Sequence, residues 1–128
     1  MVFHTINGKS RRGFTLIELL VVMTIVGLLL SIVAPGYVKQ TDRARETVLR
    51  HNLQTLRVAI DDYRADHGTA PPSLDVLVTQ RYLREVPVDP ITGKRDTWRS
   101  DAADGGGVGD IHSGAPGAGT DGSKYAQW

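Results

Sequence analysis

The sequence contains no cysteine, so no disulfide can hold the fold together, and both a thiol nucleophile and a thiolate zinc site are excluded. An excess of charge of one sign is also lacking, because the formal net charge at pH 7 is only +1. A chain this close to neutral has no electrostatic footprint for nucleic acid. The four histidines show no metal-binding spacing, and we expect them to be solvated: His4, His51, His67 and His112. The 128 residues have room for one small domain at most.

One long apolar run interrupts this polar chain. Residues 14–34 contain a single ionisable group, Glu18, and as a helix they would extend roughly 30 Å, the thickness of a bilayer core. A polar leader, residues 1–13, precedes the run and ends in three cations, Lys9, Arg11 and Arg12. Because basic residues stay on the cytoplasmic side, we expect a single span with the C-terminal side translocated. Loss of the leader would leave an excess of acidic side chains.

A cleaved secretory signal peptide is a competing interpretation, since it too has a basic start and an apolar core. The run is longer than a typical signal core, however, and residues 33–37 match a small-residue cleavage site poorly. The pattern therefore favours a segment that stays in the membrane.

Helical spacing continues beyond Pro35, where a stripe of apolar residues recurs at steps of four and three: Leu49, Leu53, Leu56, Ile60 and Tyr63. Charged residues occupy the other faces, and Gly68 is a typical C-terminal helix signal. The pattern predicts one long helix from Phe14 to about Asp66, bent near Pro35, with an apolar first half and an amphipathic second half.

The rest of the chain has a different character. Leu74, Leu77 and Val78 predict a short helical turn, and a strand is expected around Thr97–Arg99. Residues 101–122 hold eight glycines, which is typical either of a flexible tail or of an ordered loop region closed by Tyr125 and Trp128. We predict an α+β fold, a long N-terminal helix followed by a small C-terminal β/loop domain. The expected organisation is a leader at 1–13, a membrane and filament-core helix at 14–35, an amphipathic helix at 36–67 and the C-terminal domain at 68–128.

The segment R-R-G-F-T-L-I-E-L, residues 11–19, resembles the precursor leaders of type IV pilins and type II secretion pseudopilins. That family has a basic residue, a glycine, a hydrophobic first mature residue and a glutamate at the fifth mature position. Gly13, Phe14 and Glu18 fit this pattern. The resemblance implies that a membrane-embedded prepilin peptidase cuts between Gly13 and Phe14 and methylates the new α-amino group of Phe14.

Glu18 is expected to act in assembly. A carboxylate near the start of a membrane segment costs about 3 kcal/mol if it reaches the bilayer centre, so it requires a partner or a shallow position. The hypothesis is a charge pair between Glu18 and the α-amino group of Phe14, in the same chain or in the next subunit. The resemblance also implies local unwinding between Gly27 and Pro35 inside an assembled filament.

The second half of the chain indicates which branch of this family the sequence resembles. Residues 82–94, Y-L-R-E-V-P-V-D-P-I-T-G-K, and the glycine-rich end with its terminal tryptophan resemble major pseudopilins of the general secretory pathway, of the protein G type. Pilus subunits often close their C-terminal loop with a disulfide, which this chain lacks. The resemblance also implies a calcium site in this loop, with Asp110, Asp121 and Ser113 as candidate ligands. The loop is poor in acids for such a site, so we favour a metal-free loop and keep a calcium site as the alternative.

The resemblance implies a structural role and no enzymatic activity. The subunit would polymerise with copies of itself into a pseudopilus that pushes exoproteins across the outer membrane. Its expected partners are the prepilin peptidase, minor pseudopilins, an inner-membrane assembly platform and membrane lipid, with no nucleic acid. The expected location is the bacterial inner membrane, with the C-terminal domain in the periplasm. Two alternatives stay open: a type IV pilus or competence pilin, and a single-pass anchored binding protein that does not polymerise.

Overall fold

The computed structural model describes residues 1–2, 8 and 12–128. The leader cations Lys9 and Arg11 lie outside the described residues. The chain divides into two compact units, a first unit Met1–Tyr37 and a second unit Val38–Trp128.

Helix α1 spans Leu16–His67 and supplies residues to both units. Thr15 precedes its first turn, and its hydroxyl oxygen accepts a hydrogen bond from the Glu18 amide at 3.2 Å. This bond satisfies one of the amides that a helix N-terminus leaves without a partner. The helix ends before Gly68, whose φ of 73° is readily adopted only by glycine. The prediction of one helix from Phe14 to about Asp66 is confirmed to within two residues, while a bend at Pro35 stays a prediction.

The part of α1 that belongs to the first unit exposes its apolar side chains on every side of the helix. The most apolar stretch of α1 has a mean hydropathy of 2.8 and buries none of its residues within the chain, so its length and composition are sufficient for one membrane crossing. The polar side chains in this stretch bond to the helix itself. Thr24 donates its hydroxyl to the carbonyl of Leu20 at 2.8 Å, and Ser31 donates to Leu28 at 2.7 Å. The hydroxyls therefore add no unpaired polar group to an apolar surface.

The second unit has a hydrophobic core of its own. The predicted apolar stripe of α1 forms one side of it, and all five members are buried: Leu49, Leu53, Leu56, Ile60 and Tyr63. The C-terminal half of the chain supplies the other side, with Leu77, Leu83, Val108, Ile111, Ala115 and Tyr125. The stripe is thus confirmed as the buried face of an amphipathic helix.

A short helix and a β-hairpin complete the second unit. Helix α2 spans Leu74–Thr79, as the sequence predicted. Strand β1, Arg99–Ala102, pairs antiparallel with β2, Val108–His112, with Ser100 opposite Ile111 and an irregularity between Asp101 and Ala102. A short 3-10 helix, Tyr125–Gln127, follows. The α+β fold class is confirmed.

The strand predicted around Thr97–Arg99 is present but spans Arg99–Ala102, and its partner β2, inside the glycine-rich stretch 101–122, was not predicted. Of the two alternatives for this stretch, the ordered loop region is correct, because Val108, Ile111 and Ala115 are buried and Tyr125 closes the core.

Candidate functional site

The predicted processing site lies just before α1, outside any helix or strand. Gly13 and Phe14 are both exposed, and the Phe14 side chain retains 87% of its accessible surface. No helical hydrogen bond has to break for a peptidase to reach the bond between them, because the helix starts at Leu16.

Glu18 lies in the first turn of α1 with an exposed side chain. A carboxylate there is favoured by the positive end of the helix dipole. Its amide donates to the Thr15 hydroxyl, which gives the T-x-x-E spacing of a helix N-cap. Thr15 therefore caps the N-terminus of the helix. This role was not predicted, although the T-x-x-E spacing indicates it.

Gly27 and Pro35, the other two residues assigned to assembly, lie inside α1. A Cβ added at Gly27 would meet nothing within 4 Å, so this side of the helix is open to a neighbouring helix. Residues 27–35 are helical, and the unwinding expected in an assembled filament stays a prediction.

The second unit holds a polar cluster that connects α1 with the C-terminal segment, residues 117–128. Glu46 is buried on α1 and accepts three hydrogen bonds: from the Thr120 amide at 2.6 Å, the Thr120 hydroxyl at 2.7 Å and the Tyr125 hydroxyl at 3.1 Å. Burial raises the pKa of Glu46, but the hydrogen bonds from Thr120 and Tyr125 outweigh it and hold the pKa below its ordinary value. Burial and the hydrogen bond from its hydroxyl to Glu46 raise the pKa of Tyr125.

Arg50 lies one turn further along α1 and contacts the end of the chain. Its guanidinium carbon lies 4.0 Å from the centre of the Trp128 ring, a cation–π distance. Its Nη2 is 3.3 Å from Asp121 Oδ2. Asp121 Oδ1 accepts bonds from the amide and the hydroxyl of Ser123, and these bonds lower the pKa of Asp121.

Arg57 forms a third connection, with three acceptors. Its Nε donates to Asp110 Oδ1 at 2.9 Å, and its Nη2 donates to the backbone oxygens of Ile111 at 2.9 Å and Trp128 at 2.7 Å. Burial raises the pKa of Asp110, but the bonds from the Ile111 amide and Arg57 outweigh it, so the pKa lies below its ordinary value. One guanidinium therefore joins α1, β2 and the chain end.

The surroundings of Asp110 and Asp121 do not fit a calcium site built on them. A calcium ion requires about six to eight oxygens, and here each carboxylate faces an arginine. Ser113, the third candidate, donates its hydroxyl to buried Asp89 instead. Within the described part of the chain, no three acidic or histidine side chains form a group that could hold a metal ion.

The charged residues of this cluster could not be recognised from the sequence. Glu46, Arg50 and Arg57 read as members of the charged faces of α1, with no signal for a distant partner. The expectation of solvated histidines was wrong for His112, whose Nδ1 lies 2.7 Å from the Trp128 oxygen and whose Nε2 lies 3.1 Å from Asp101 Oδ2. His4 lies outside the described residues.

An apolar helix exposed on all sides, a lone acid in its first turn and a small α+β unit downstream define the class of pilin-like proteins. The family model for the prokaryotic N-terminal methylation motif matches residues 8–34, which include Gly13, Phe14 and Glu18.

Curated relatives identify the family more closely. The chain is 32% identical to type II secretion system core protein G of Pseudomonas aeruginosa over 98 residues, 64% of this chain and 69% of that protein. The same protein of Klebsiella michiganensis is 32% identical over 101 residues, 66% of this chain and 71% of that protein. Competence protein ComGC of Halalkalibacterium halodurans is 28% identical over 88 residues, 69% of this chain and 84% of that protein. No solved structure matches the chain. The chain belongs to the type II secretion system core protein G family and is a pseudopilin.

Proposed function

We propose that this chain is a structural subunit of a pseudopilus filament in type II protein secretion. One observation carries the proposal: the apolar first part of α1, which begins just after Gly13-Phe14, buries none of its residues within the chain and carries a single acid, Glu18. A helix that is apolar on all faces requires lipid or other helices around it. Lipid would surround this part of the helix before assembly, and the helices of neighbouring subunits would surround it afterwards.

Processing comes first in this proposal. A prepilin peptidase cuts between Gly13 and Phe14, both exposed and outside any helix or strand, and methylates the Phe14 amine. Phe14 precedes Glu18 by four residues, about one helical turn. The new cation can therefore approach the Glu18 carboxylate of its own chain or of a neighbouring subunit. In a low-dielectric filament core, such a pair sets the register between helices, because a shifted neighbour would leave a charge unpaired.

The second unit covers the outside of the filament. Its own core and polar cluster make it compact without the apolar helix. In this arrangement the chain catalyses no reaction. A cytoplasmic ATPase acting through the inner-membrane platform would supply the energy, minor pseudopilins would join the assembly, and the growing filament would push exoproteins across the outer membrane.

The basic leader and the apolar run that follows it support an inner-membrane location before assembly. Lys9, Arg11 and Arg12 precede the apolar run in the sequence, which favours a cytoplasmic N-terminus and a periplasmic second unit. After assembly the filament would stand in the periplasm.

Intact mass spectrometry of the protein from bacterial membranes tests the proposal. We expect a chain that starts at Phe14 and carries one extra methyl group in a host with a prepilin peptidase, and the full leader in a host without it. A chain that keeps its leader in both hosts would contradict the proposal and favour an anchored binding protein. Deletion of the gene should then abolish exoprotein secretion, and restoration by the wild-type gene is the control.

A competence pilin is the second candidate, supported by the similarity to ComGC, which spans 84% of that protein at 28% identity. The two functions differ in phenotype. A secretion pseudopilin leaves DNA uptake unchanged when it is deleted, whereas a competence pilin leaves exoprotein secretion unchanged. Both assays on one deletion strain separate the candidates.

A further inference from the structure

Two arginines of α1 reach the same C-terminal segment. Arg50 and Arg57 are seven residues apart, close to two helical turns, so they lie on the same side of the helix. Arg50 contacts Asp121 and the Trp128 ring, and Arg57 contacts Asp110 and the Trp128 backbone oxygen. Both aspartates that the family resemblance offers as calcium ligands are thus paired with a cation from the chain itself.

The acceptors around Arg57 are the kind that a divalent cation uses, one side-chain carboxylate oxygen and two main-chain oxygens. A guanidinium can also neutralise and bridge such acceptors, because it carries a permanent charge and directs its N–H donors in a fixed plane. The contact is also partly shielded from water. The side chain of Arg57 is 34% exposed, compared with 55% for Arg95 in its pair with Glu85.

We infer that Arg57, assisted by Arg50, is the built-in cation of the C-terminal segment and does there what a bound metal ion would do. It neutralises Asp110 and holds the chain end against α1 and β2. The second unit therefore folds and keeps its C-terminal segment in place without a divalent metal. Removal of Arg57 would take one donor from each of the Asp110 carboxylate, the Ile111 oxygen and the Trp128 oxygen, and would leave Asp110 without its guanidinium partner.

The first experiment tests independence from metal. The mature full-length protein in detergent micelles is melted with about 10 mM calcium chloride, with the same concentration of magnesium chloride, or with excess EGTA. A calcium site with a Kd of about 0.1 mM would raise the Tm by roughly 10–20 °C in calcium. We expect the same Tm in all three conditions and no calcium-specific heat by isothermal titration. A rise specific to calcium overturns the inference.

The second experiment tests the cation itself. Arg57→Gln keeps a polar side chain but loses the charge, and we expect the Tm to fall by about 10 °C or more. Arg57→Lys keeps the charge without the planar fork, so its Tm should lie between those of Arg57→Gln and wild type. The matched control is Arg95→Gln, which breaks an exposed pair and should lower the Tm by about 4 °C or less.

The two experiments do not depend on one variant. If Arg57→Gln does not fold, the comparison of Arg57→Lys with wild type and the metal comparison on wild type both remain. The inference fails if Arg57→Gln loses no more stability than Arg95→Gln, or if Arg57→Lys is no more stable than Arg57→Gln.

Discussion

Asp89 and Ser113 are joined in the core of the second unit, where the Ser113 hydroxyl donates to Asp89 Oδ2 at 2.5 Å and neither residue has exposed surface. The other carboxylate oxygen accepts the amides of Ile91 at 2.9 Å and Thr92 at 3.3 Å. Asp89 thus holds the turn after Pro87-Val88 and connects it to the segment that follows β2. A buried carboxylate is tolerated here because every bond it requires is made within the unit.

The first prediction concerns this contact. Asp89→Ala leaves the Ser113 hydroxyl and two amides without their acceptor, which should lower the free energy of unfolding by about 3 kcal/mol or more. Urea unfolding followed by circular dichroism measures the change. Asp104→Ala, at an exposed turn position, is the control and should change stability little. Equal losses in the two variants would show that the Asp89 contact is not important.

The second prediction is a loss of stability in acid. The pKa values of Glu46, Asp110 and Asp121 lie below their ordinary values of 4.5, 3.8 and 3.8. A carboxyl group with a lowered pKa stabilises the fold fully above its ordinary pKa, and this contribution is lost as the pH falls through the folded-state value. We expect a constant Tm between about pH 5 and about pH 8 and a decline below about pH 4.

Glu46→Gln isolates one contributor to that decline. The amide cannot titrate, so the variant should be less stable at neutral pH and should lose less on acidification than wild type. Glu85→Gln, in an exposed pair, is the matched control and should keep the wild-type pH profile. A Glu46→Gln profile parallel to that of wild type would contradict the assignment.

The third prediction concerns Glu18. Glu18→Ala leaves the cleavage site intact, so the variant should be processed and methylated normally. It should fail to form filaments, because the Phe14 amine then lacks its partner in the core. Mass spectrometry of the N-terminus measures processing and methylation, and electron microscopy of sheared filaments measures assembly. Thr24→Ala, whose hydroxyl bonds only within its own helix, should still assemble. Normal filaments from Glu18→Ala would refute the role.

The fourth prediction concerns contacts between subunits. Asp61 and Asp62 are exposed on α1, as are Arg43 and Arg45, and no ion pair engages any of them in the part of the chain that the structure describes. Asp61→Arg combined with Asp62→Arg should impair assembly. Adding Arg43→Asp and Arg45→Asp should restore it if these charges pair between neighbours. Failure of the combined variant, with the monomer still folded, would rule out this pairing.

The fifth prediction tests how closely the chain end packs. A Cβ added at Gly119 would lie 2.6 Å from Trp128 Cζ2, too close for the ring to keep its place. Gly119→Ala should displace the ring from Arg50, change the tryptophan fluorescence and destabilise the unit by about 1–3 kcal/mol. Ala118→Ser, at the exposed neighbouring position, is the control. An unchanged spectrum in Gly119→Ala would show that the ring position is not fixed.

Much of the fold follows from local patterns. The apolar run, the stripe from Leu49 to Tyr63 and the glycine at 68 all report a periodicity or a conformational preference within a few residues, so they can be recognised without distant partners. The hairpin is different. Strand β2 lies in a glycine-rich stretch whose only large apolar residues are Val108 and Ile111, too few for a period-two pattern.

The polar cluster shows most clearly which contacts sequence patterns cannot predict. Glu46 bonds to Thr120 across 74 positions of the chain, and Arg57 bonds to Trp128 across 71. On the helix alone these residues look like any charged, solvated face, because the spacing of charges is the same whether their partners are water or protein.

The amino-acid sequence by itself determined the membrane-length helix, its processing motif and the buried face of its second half, because these depend on hydrophobicity and on neighbours along the chain. Only the tertiary structure decided which charges are paired and that an arginine faces each of the two aspartates considered as metal ligands. The reason is that a charge takes its role from the groups packed against it, and packing brings together residues that the sequence keeps far apart.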